Sequence, residues 1–185
     1  MKPRLIEYAK ETDKYFSHQY IEVYEGLFEP IRDSVTNFLE IGINHGNSHR
    51  MWRNYFNNAT IYGLDIVDKC NGLLGEDRIK AFFANAYSLD TVQMLSNTKF
   101  DVILDDGPHT LESFKFLVQY YPSLLNRNGL LVIEDIPDPE WIPEITESVP
   151  EHLKLHSFAI DRRWVPGRNS INDEILFVID KRFIQ

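Results

Sequence analysis

The fold is constrained most by one apolar segment that runs into a glycine-containing turn. Residues 37–41 read Asn-Phe-Leu-Glu-Ile, and Gly42 and Gly46 follow within the next five positions. Glycine lets the backbone turn sharply and lets a ligand or another segment approach closely. A strand, such a turn and then a helix are typical of the first unit of an open α/β sheet. We therefore expect a sheet of this kind, with its ligand pocket beginning at Gly42.

The rest of the chain alternates apolar runs of strand length with amphipathic runs of helix length. We predict strands at 37–41, 60–66, 79–84, 100–105, 129–135, 153–160 and 174–180. Helices are predicted at 14–33, 48–56 and 110–125, with shorter ones ending near Leu95 and Val149. Asn47 or Ser48 is expected to cap the second helix, and Asn128-Gly129 is expected to end the helix over 110–125.

This alternation predicts the fold class. Strands separated by helices favour parallel pairing through right-handed crossovers. The last two strands are joined by a loop too short for a long helix, so we expect them to pair antiparallel. The expected fold is α/β and Rossmann-like: a mostly parallel seven-stranded sheet with helices on both faces and an antiparallel last strand. We expect one domain over 1–185, with an N-terminal helical segment (1–35) and a sheet core (36–185).

Composition narrows the function classes. Of the 185 residues, 43% are hydrophobic and 25% are charged, as in ordinary globular proteins, and the net charge of −9 disfavours nucleic acid as the main partner. No apolar run approaches the roughly 20 residues of a membrane span, and no apolar signal segment is visible, so no membrane partner is expected. The single cysteine, Cys70, cannot form an intrachain disulfide, which fits a reducing, cytoplasmic location. The composition and net charge are compatible with a homo-oligomer.

The glycine spacing indicates which nucleoside the pocket takes. The dinucleotide motif is G-x-G-x-x-G, but Asn44 stands at its middle glycine, so no tight pyrophosphate cradle is expected. A nucleoside without phosphates fits better, and S-adenosylmethionine is the candidate. Asp65, at the end of the second strand, is of the type that accepts hydrogen bonds from ribose hydroxyls. The expected cofactor contacts are Glu40, Gly42, Asn44, Gly46, Ser48, Asp65, Ile66, Asn85, Ala86 and Asp105.

Two adjacent pairs of acidic residues follow neighbouring strands. Asp105-Asp106 and Glu134-Asp135 lie where the carboxyl ends of strands four and five are predicted to meet. Because such carboxylates repel one another unless a positive charge sits between them, the pairs indicate a divalent cation. Oxygen ligands favour Mg²⁺, with Mn²⁺ or Ca²⁺ as alternatives. A different interpretation is that these acids cap helices or pair with arginine.

A histidine follows the first of these acidic pairs. His109 lies three residues after Asp106, in a loop that Gly107 and Pro108 bend and restrict. A neutral imidazole there could take a proton from a substrate hydroxyl. His109 and Asp106 are therefore the candidate catalytic residues.

The run Asp105-Asp106-Gly107-Pro108-His109, followed by a strand ending in Glu134-Asp135, resembles the metal-dependent sugar O-methyltransferases of macrolide biosynthesis and the cephalosporin-hydroxylase-type methyltransferases. The N-terminal residues of the chain also resemble that group: Thr12, Asp13, Lys14, His18, Tyr20 and Tyr24. The resemblance implies a class I methyltransferase fold and a general base at His109. It also implies metal ligation by Asp106, Glu134 and Asp135, and S-adenosylmethionine contacts from Glu40, Gly42 and Asp65. The sequence departs from the pattern at Asn44, Asn85-Ala86 and Pro108.

The resulting expectation is an enzyme: an S-adenosylmethionine-dependent, metal-assisted O-methyltransferase. Its acceptor would be a hydroxyl of a small molecule such as a sugar or nucleotide-sugar, and the arginines of loop 161–168 would suit a phosphate on it. One alternative is a nicotinamide-dependent oxidoreductase, against which the missing G-x-G-x-x-G argues. Others are a non-catalytic binding subunit and a metal-independent methyltransferase whose acids are structural.

Overall fold

The computed structural model describes residues 2–69, 73, 75–165 and 174–184. These residues form a seven-stranded sheet in the order β3-β2-β1-β4-β5-β7-β6. The strands are β1 (Asn37–Ile41), β2 (Thr60–Asp65), β3 (Ile79–Phe83), β4 (Phe100–Asp105), β5 (Leu125–Ile136), β6 (Ser157–Asp161) and β7 (Ile175–Asp180). The α-helices are α1 (Asp13–Phe16), α2 (Ile21–Phe28), α3 (Asn47–Tyr55), α4 (Leu89–Leu95), α5 (Leu111–Tyr120) and α6 (Trp141–Ser148).

The strand pairing confirms the predicted fold class. Strands β1 to β5 pair in parallel, whereas β7 runs antiparallel to both β5 and β6. The strand order reverses between β1 and β4, and in doubly wound sheets ligands bind at that point, outside the carboxyl ends of the strands. The turn after β1 and the loop after β4 are therefore placed side by side.

Helices cover both faces of the sheet because alternate strand residues point to opposite sides. On one face, α2 and α3 pack Phe28 and Trp52 against Phe38 of β1, and all three side chains are fully buried. On the other face, α5 packs Phe114 and Leu117 against the central strands. Burial of each such side chain contributes about 1.5–3 kcal/mol, so both faces stabilise the strand ends that carry the site.

The helix predicted over 14–33 is interrupted, and that prediction was wrong in its extent. Helix α1 ends at Phe16, and Gln19 adopts a left-handed backbone conformation with φ 53° before α2 begins. After α2, residues Glu29–Ile31 form a 3-10 turn that contains Pro30. Tyr20, the N-cap of α2, and Tyr24 are both fully buried, as the amphipathic pattern predicts.

Two further boundaries differ from the prediction. Helix α5 ends at Tyr120, and a 3-10 turn (Tyr121–Leu124) with Pro122 follows it, because proline cannot continue the helical hydrogen-bond pattern. Asn128-Gly129 is therefore not a helix stop but lies within β5. Residues Glu151–His156 form a 3-10 helix, so β6 begins at Ser157 and not at 153.

Some expectations are not tested by the described residues. Cys70 and the part of loop 161–168 from Pro166 onward lie outside them, and the single-domain organisation over 1–185 stays a prediction. Within the described part of the chain, no helix combines the length and apolar character needed to cross a bilayer.

Candidate active site

The turn after β1 lies directly against the loop after β4. Gly42 has φ +92°, and a Cβ placed on it would overlap the carbonyl oxygen of Asp106. The Gly42 amide donates to the carbonyl of Leu64 at 2.8 Å, and the Asp106 amide donates to the carbonyl of Ile41 at 2.9 Å. Only glycine combines this backbone conformation with so close an approach. The turn and the acidic loop are therefore packed directly against each other.

Asp65, at the end of β2, holds the same turn. One carboxylate oxygen accepts from the amides of Ile43 at 2.9 Å and Asn44 at 3.2 Å, and the other accepts from the amide of Val67 at 3.0 Å. Burial raises the pKa of Asp65, but these backbone donors outweigh it and lower the pKa below its usual value. The side chain is half-buried and charged, so its remaining lone pairs can accept from ribose hydroxyls in the cleft.

A cleft of about 620 Å³ opens at this point, within the roughly 300–1,000 Å³ range of small-molecule sites. The predicted site residues that line it are Gly42, Asn44, Ser48, Asp65, Ile66, Asn85, Ala86, Asp106 and His109. The structure adds Glu11, Thr12 and Asp13 from the N-terminal segment, and Tyr87 after β3. The cleft thus joins the turn after β1 to the acidic loop after β4.

Glu40 and Gly46, predicted to contact the cofactor, do not line the cleft. The Glu40 carboxylate is fully buried, accepts from the Ser48 hydroxyl at 2.8 Å and lies 3.0 Å from Nδ1 of His49. Gly46 serves as the N-cap of α3 in a left-handed conformation and packs against Leu73, so neither Asn47 nor Ser48 caps this helix. Both residues support the wall of the cleft from behind.

Asp105, the last residue of β4, is also fully buried and does not line the cleft. The Tyr87 hydroxyl donates to its Oδ1 at 2.5 Å, and Oδ2 has no hydrogen-bond partner among the described residues. Burial raises the pKa of Asp105 to about 7, although the Tyr87 hydrogen bond opposes the change. Asp105 therefore anchors Tyr87, which forms part of the cleft wall.

Asp106, His109 and Asp135 form a candidate metal centre. Each offers one ligand atom, and these atoms lie within 4.8 Å of one another. A register shift in β5 between Ile133 and Ile136, with Asp135 at φ 56°, breaks the strand alternation and turns Asp135 toward the loop after β4. Carboxylate oxygens are the ligands that a hard divalent ion prefers, so Asp106 and Asp135 are the candidate ligands in this group, and His109 lies beside them.

His109 is held by the acidic residues around it. It adopts φ 52°, and its Nε2 lies 3.3 Å from Asp106 and 4.0 Å from Asp135. Burial lowers the pKa of His109, but the hydrogen bond to Asp106 and the nearby carboxylates outweigh it and raise the pKa above 6.5. The ring is about one third exposed, so it can reach a molecule in the cleft.

Glu134, the third predicted metal ligand, lies outside that three-residue group. One of its carboxylate oxygens accepts from Lys14 at 2.7 Å, and the other accepts from the hydroxyl of Tyr24. Asp135 accepts from the hydroxyl of Tyr20 at 2.6 Å. The role of Glu134 as a ligand therefore stays a prediction.

Sequence reasoning missed the roles of Lys14, His49 and Tyr87. Lys14 and His49 lie on short amphipathic helices, where pattern alone does not distinguish a buried polar side chain from an exposed one. Tyr87 directly follows Ala86 at the end of a strand, and that position is the signal that could have placed it beside the cleft.

Comparison with known proteins identifies sequence relatives of this chain. No family profile matches the chain. It is 31% identical over 139 residues to 8-demethyl-8-alpha-L-rhamnosyl tetracenomycin-C 2'-O-methyltransferase of Streptomyces olivaceus, covering 70% of this chain and 36% of that protein. It is 32% identical over 171 residues to demethylmacrocin O-methyltransferase of Streptomyces fradiae, covering 86% of this chain and 43% of that protein. The chain thus spans less than half the length of these curated relatives.

Solved structures show the same fold. A methyltransferase from the mycinamycin biosynthetic pathway, in complex with Mg and SAH, superposes with a TM-score of 0.75 at 24% identity, covering 97% of this chain and 55% of that one. The sheet and its surrounding helices are therefore shared with an enzyme of that kind.

Proposed function

Because this chain has the class I methyltransferase fold and is related to macrolide sugar O-methyltransferases, we propose that it is an S-adenosylmethionine-dependent O-methyltransferase. Its methyl acceptor is a hydroxyl of a small molecule such as a sugar or nucleotide-sugar. One observation carries the proposal: a single cleft is bounded by the Gly42 turn and Asp65 on one side and by Asp106 and His109 on the other. A nucleoside donor and a hydroxyl acceptor can thus lie next to each other.

The cofactor half of the cleft is formed by backbone and by one carboxylate. The turn at Gly42 leaves room for the methionine end, and Asp65 accepts hydrogen bonds from the ribose hydroxyls. Asn85, Ala86 and Tyr87 line the wall beyond Asp65, where the adenine ring of the cofactor would lie. These contacts support a nucleoside ligand that lacks a pyrophosphate.

The acceptor half of the cleft is lined by Asp106 and His109, whereas Asp135 does not line the cleft and lies 4.0 Å from Nε2 of His109. When bound, S-adenosylmethionine supplies an electrophilic methyl group and Mg²⁺ lowers the pKa of the acceptor hydroxyl. Asp106 and Asp135 would hold the ion, with Glu134 as the ligand that the family resemblance implies. His109 takes the acceptor proton on its imidazole, and Asp106 holds the ring in place at 3.3 Å. Positioning of donor and acceptor in one cleft supplies much of the rate acceleration.

Calorimetry with S-adenosylhomocysteine (SAH) and with NAD tests the cofactor assignment. We expect SAH to bind and NAD not to bind, because the turn has no pyrophosphate cradle. Binding of NAD without SAH would instead support the oxidoreductase alternative.

Turnover of S-adenosylmethionine on a panel of sugars, nucleotide-sugars and catechols with Mg²⁺ tests the activity. Turnover that EDTA abolishes supports the proposal, and turnover that survives both EDTA and Asp106→Ala would make the acids structural. SAH binding without turnover on any acceptor would favour the non-catalytic subunit.

The setting of the enzyme is part of the same proposal. The single cysteine supports a reducing, cytoplasmic location, and the net charge of −9 argues against a nucleic-acid substrate. A homo-oligomer is compatible with these properties, and size-exclusion chromatography with light scattering measures it.

A further inference from the structure

Lys14 is a buried lysine at the centre of the acidic site. Its side chain is 1% exposed, and its ammonium donates to Asp106 at 2.7 Å and to Glu134 at 2.7 Å. It also lies 3.4 Å from the buried carboxylate of Glu40. One ammonium group therefore contacts carboxylates near the carboxyl ends of β1, β4 and β5.

Charge explains why a lysine occupies this position. Burying several carboxylates together is costly unless a positive charge pairs with them. The ammonium of Lys14 supplies that positive charge, because it lies within ion-pair distance of Asp106, Glu134 and Glu40.

The contacts of Lys14 also determine how two carboxylates are oriented. The ammonium of Lys14 donates a hydrogen bond to Oδ2 of Asp106, so that Oδ1 faces His109 and the candidate metal centre. The same ammonium donates to Oε2 of Glu134, and the hydroxyl of Tyr24 donates to Oε1. Both carboxylates therefore accept hydrogen bonds from the N-terminal segment, and His109 contacts the other oxygen of Asp106.

The backbone keeps Lys14 itself in place. Its amide donates to the carboxylate of Asp13 at 2.9 Å, and its carbonyl accepts from the amide of Tyr20 at 2.9 Å. The ammonium is thus presented from a short segment that hydrogen bonds fix at both sides of the residue.

We propose that Lys14 is a positioning residue for the metal centre, whose ammonium holds Asp106 and Glu134 in the orientation needed to receive the ion. This inference rests on the proposed function, since it assumes that the acidic site binds a divalent cation. It also makes the N-terminal segment part of the active site, because Lys14 links that segment to the strands that carry the ligands.

Two views of Lys14 predict opposite effects of its removal on ion binding. If the positive charge of Lys14 only repelled the incoming ion, its removal would strengthen ion binding. If Lys14 positions the carboxylates, its removal leaves buried carboxylates that repel one another, and ion binding weakens.

Titration of the full-length chain with Mn²⁺, followed by electron paramagnetic resonance, separates these views. We expect Lys14→Met to weaken Mn²⁺ binding at least tenfold while SAH affinity stays within about threefold, because Lys14 does not line the cleft and contacts its cofactor half only from behind, through Glu40. The matched control is Lys115→Met, which removes a lysine from the exposed pair with Glu144 at 3.3 Å and should leave Mn²⁺ affinity unchanged.

A double-mutant cycle with Glu134→Gln tests the coupling directly. If Lys14 acts through Glu134, combining the two substitutions should cause little further loss of Mn²⁺ affinity beyond that of the single variant with the lower affinity. Fully additive losses would overturn the inference, as would unchanged or tighter Mn²⁺ binding by Lys14→Met.

Two further readouts keep the test decisive. If circular dichroism shows that Lys14→Met does not fold, Lys14→Arg replaces it. Arginine keeps the positive charge but moves it, so the Mn²⁺ affinity of Lys14→Arg should fall below that of wild type. A wild-type Mn²⁺ affinity in Lys14→Arg would overturn the inference. Wild-type protein that binds no Mn²⁺ would overturn the metal-assisted function and this inference together. Wild-type binding with an unaffected Lys14→Met overturns this inference alone.

Discussion

Replacing Gly42 with alanine should disrupt the contact on which both halves of the site depend. The added Cβ would overlap the carbonyl oxygen of Asp106 and lie 2.9 Å from its carbonyl carbon. Both atoms belong to backbone, and the Asp106 amide is tied to Ile41 at 2.9 Å, so the loop cannot move aside without losing that hydrogen bond. We expect lower stability together with displacement of Asp106.

The expected cost has two parts. A non-glycine residue at positive φ costs about 1–2 kcal/mol, and forcing an extra methyl into a packed site costs about 1–3 kcal/mol. Gly42→Ala should therefore lower the free energy of unfolding by about 2–5 kcal/mol. Gly75 is the matched control because it has φ +95° and no atom lies within 4 Å of the position that an added Cβ would take. Gly75→Ala should cost only the first part.

Urea unfolding of both variants measures the difference, and calorimetry with SAH measures the effect on the site. We expect Gly42→Ala to be less stable than Gly75→Ala and to bind SAH at least tenfold more weakly than wild type. Equal stability of the two variants, with wild-type SAH affinity in Gly42→Ala, would refute the argument that close backbone contact builds this cleft.

Three further predictions concern single side chains. His109→Ala should lower kcat about 10²–10⁴-fold with SAH affinity retained, as steady-state kinetics and calorimetry would show; a near-normal kcat would exclude it as the base. Asp135→Asn should weaken Mn²⁺ binding in the paramagnetic titration, and an unchanged affinity would remove Asp135 from the metal centre. Tyr87→Phe removes the donor to buried Asp105 and should lower the free energy of unfolding by about 1–3 kcal/mol in urea, whereas unchanged stability would show that this hydrogen bond contributes nothing.

Local patterns were sufficient to predict the sheet and most of the predicted residues that line the cleft, but not the burial of Glu40 and Asp105 behind it. The strand periodicity located β1 and β4, and the glycine spacing placed the turn at Gly42. Asp65 was expected in the cleft because it ends a strand, and strand ends meet at one edge of a parallel sheet. These features depend on neighbouring residues, so the sequence expresses them directly.

Element boundaries were less predictable where local and distant effects compete. The amphipathic pattern over 14–33 suggested one helix, but the left-handed turn at Gln19 divides it. Asn128-Gly129 has the composition of a helix stop, yet it lies within β5, in the irregular stretch between Leu125 and Leu130, which pair with β4. In both cases the pattern of side chains does not record where the backbone departs from the helix.

The sequence alone determined the α/β fold, the switch-point cleft and the chemical types at its edge, because periodicity and turn chemistry act over a few residues. Only the tertiary structure decided which charges meet. Lys14 and Glu134 are 120 positions apart, and their contact exists because the sheet brings the end of β5 under the N-terminal segment. The same packing buried Glu40 behind the cleft and turned Asp135 toward Asp106. Side-chain contacts across such distances follow from topology and burial, which no local pattern records.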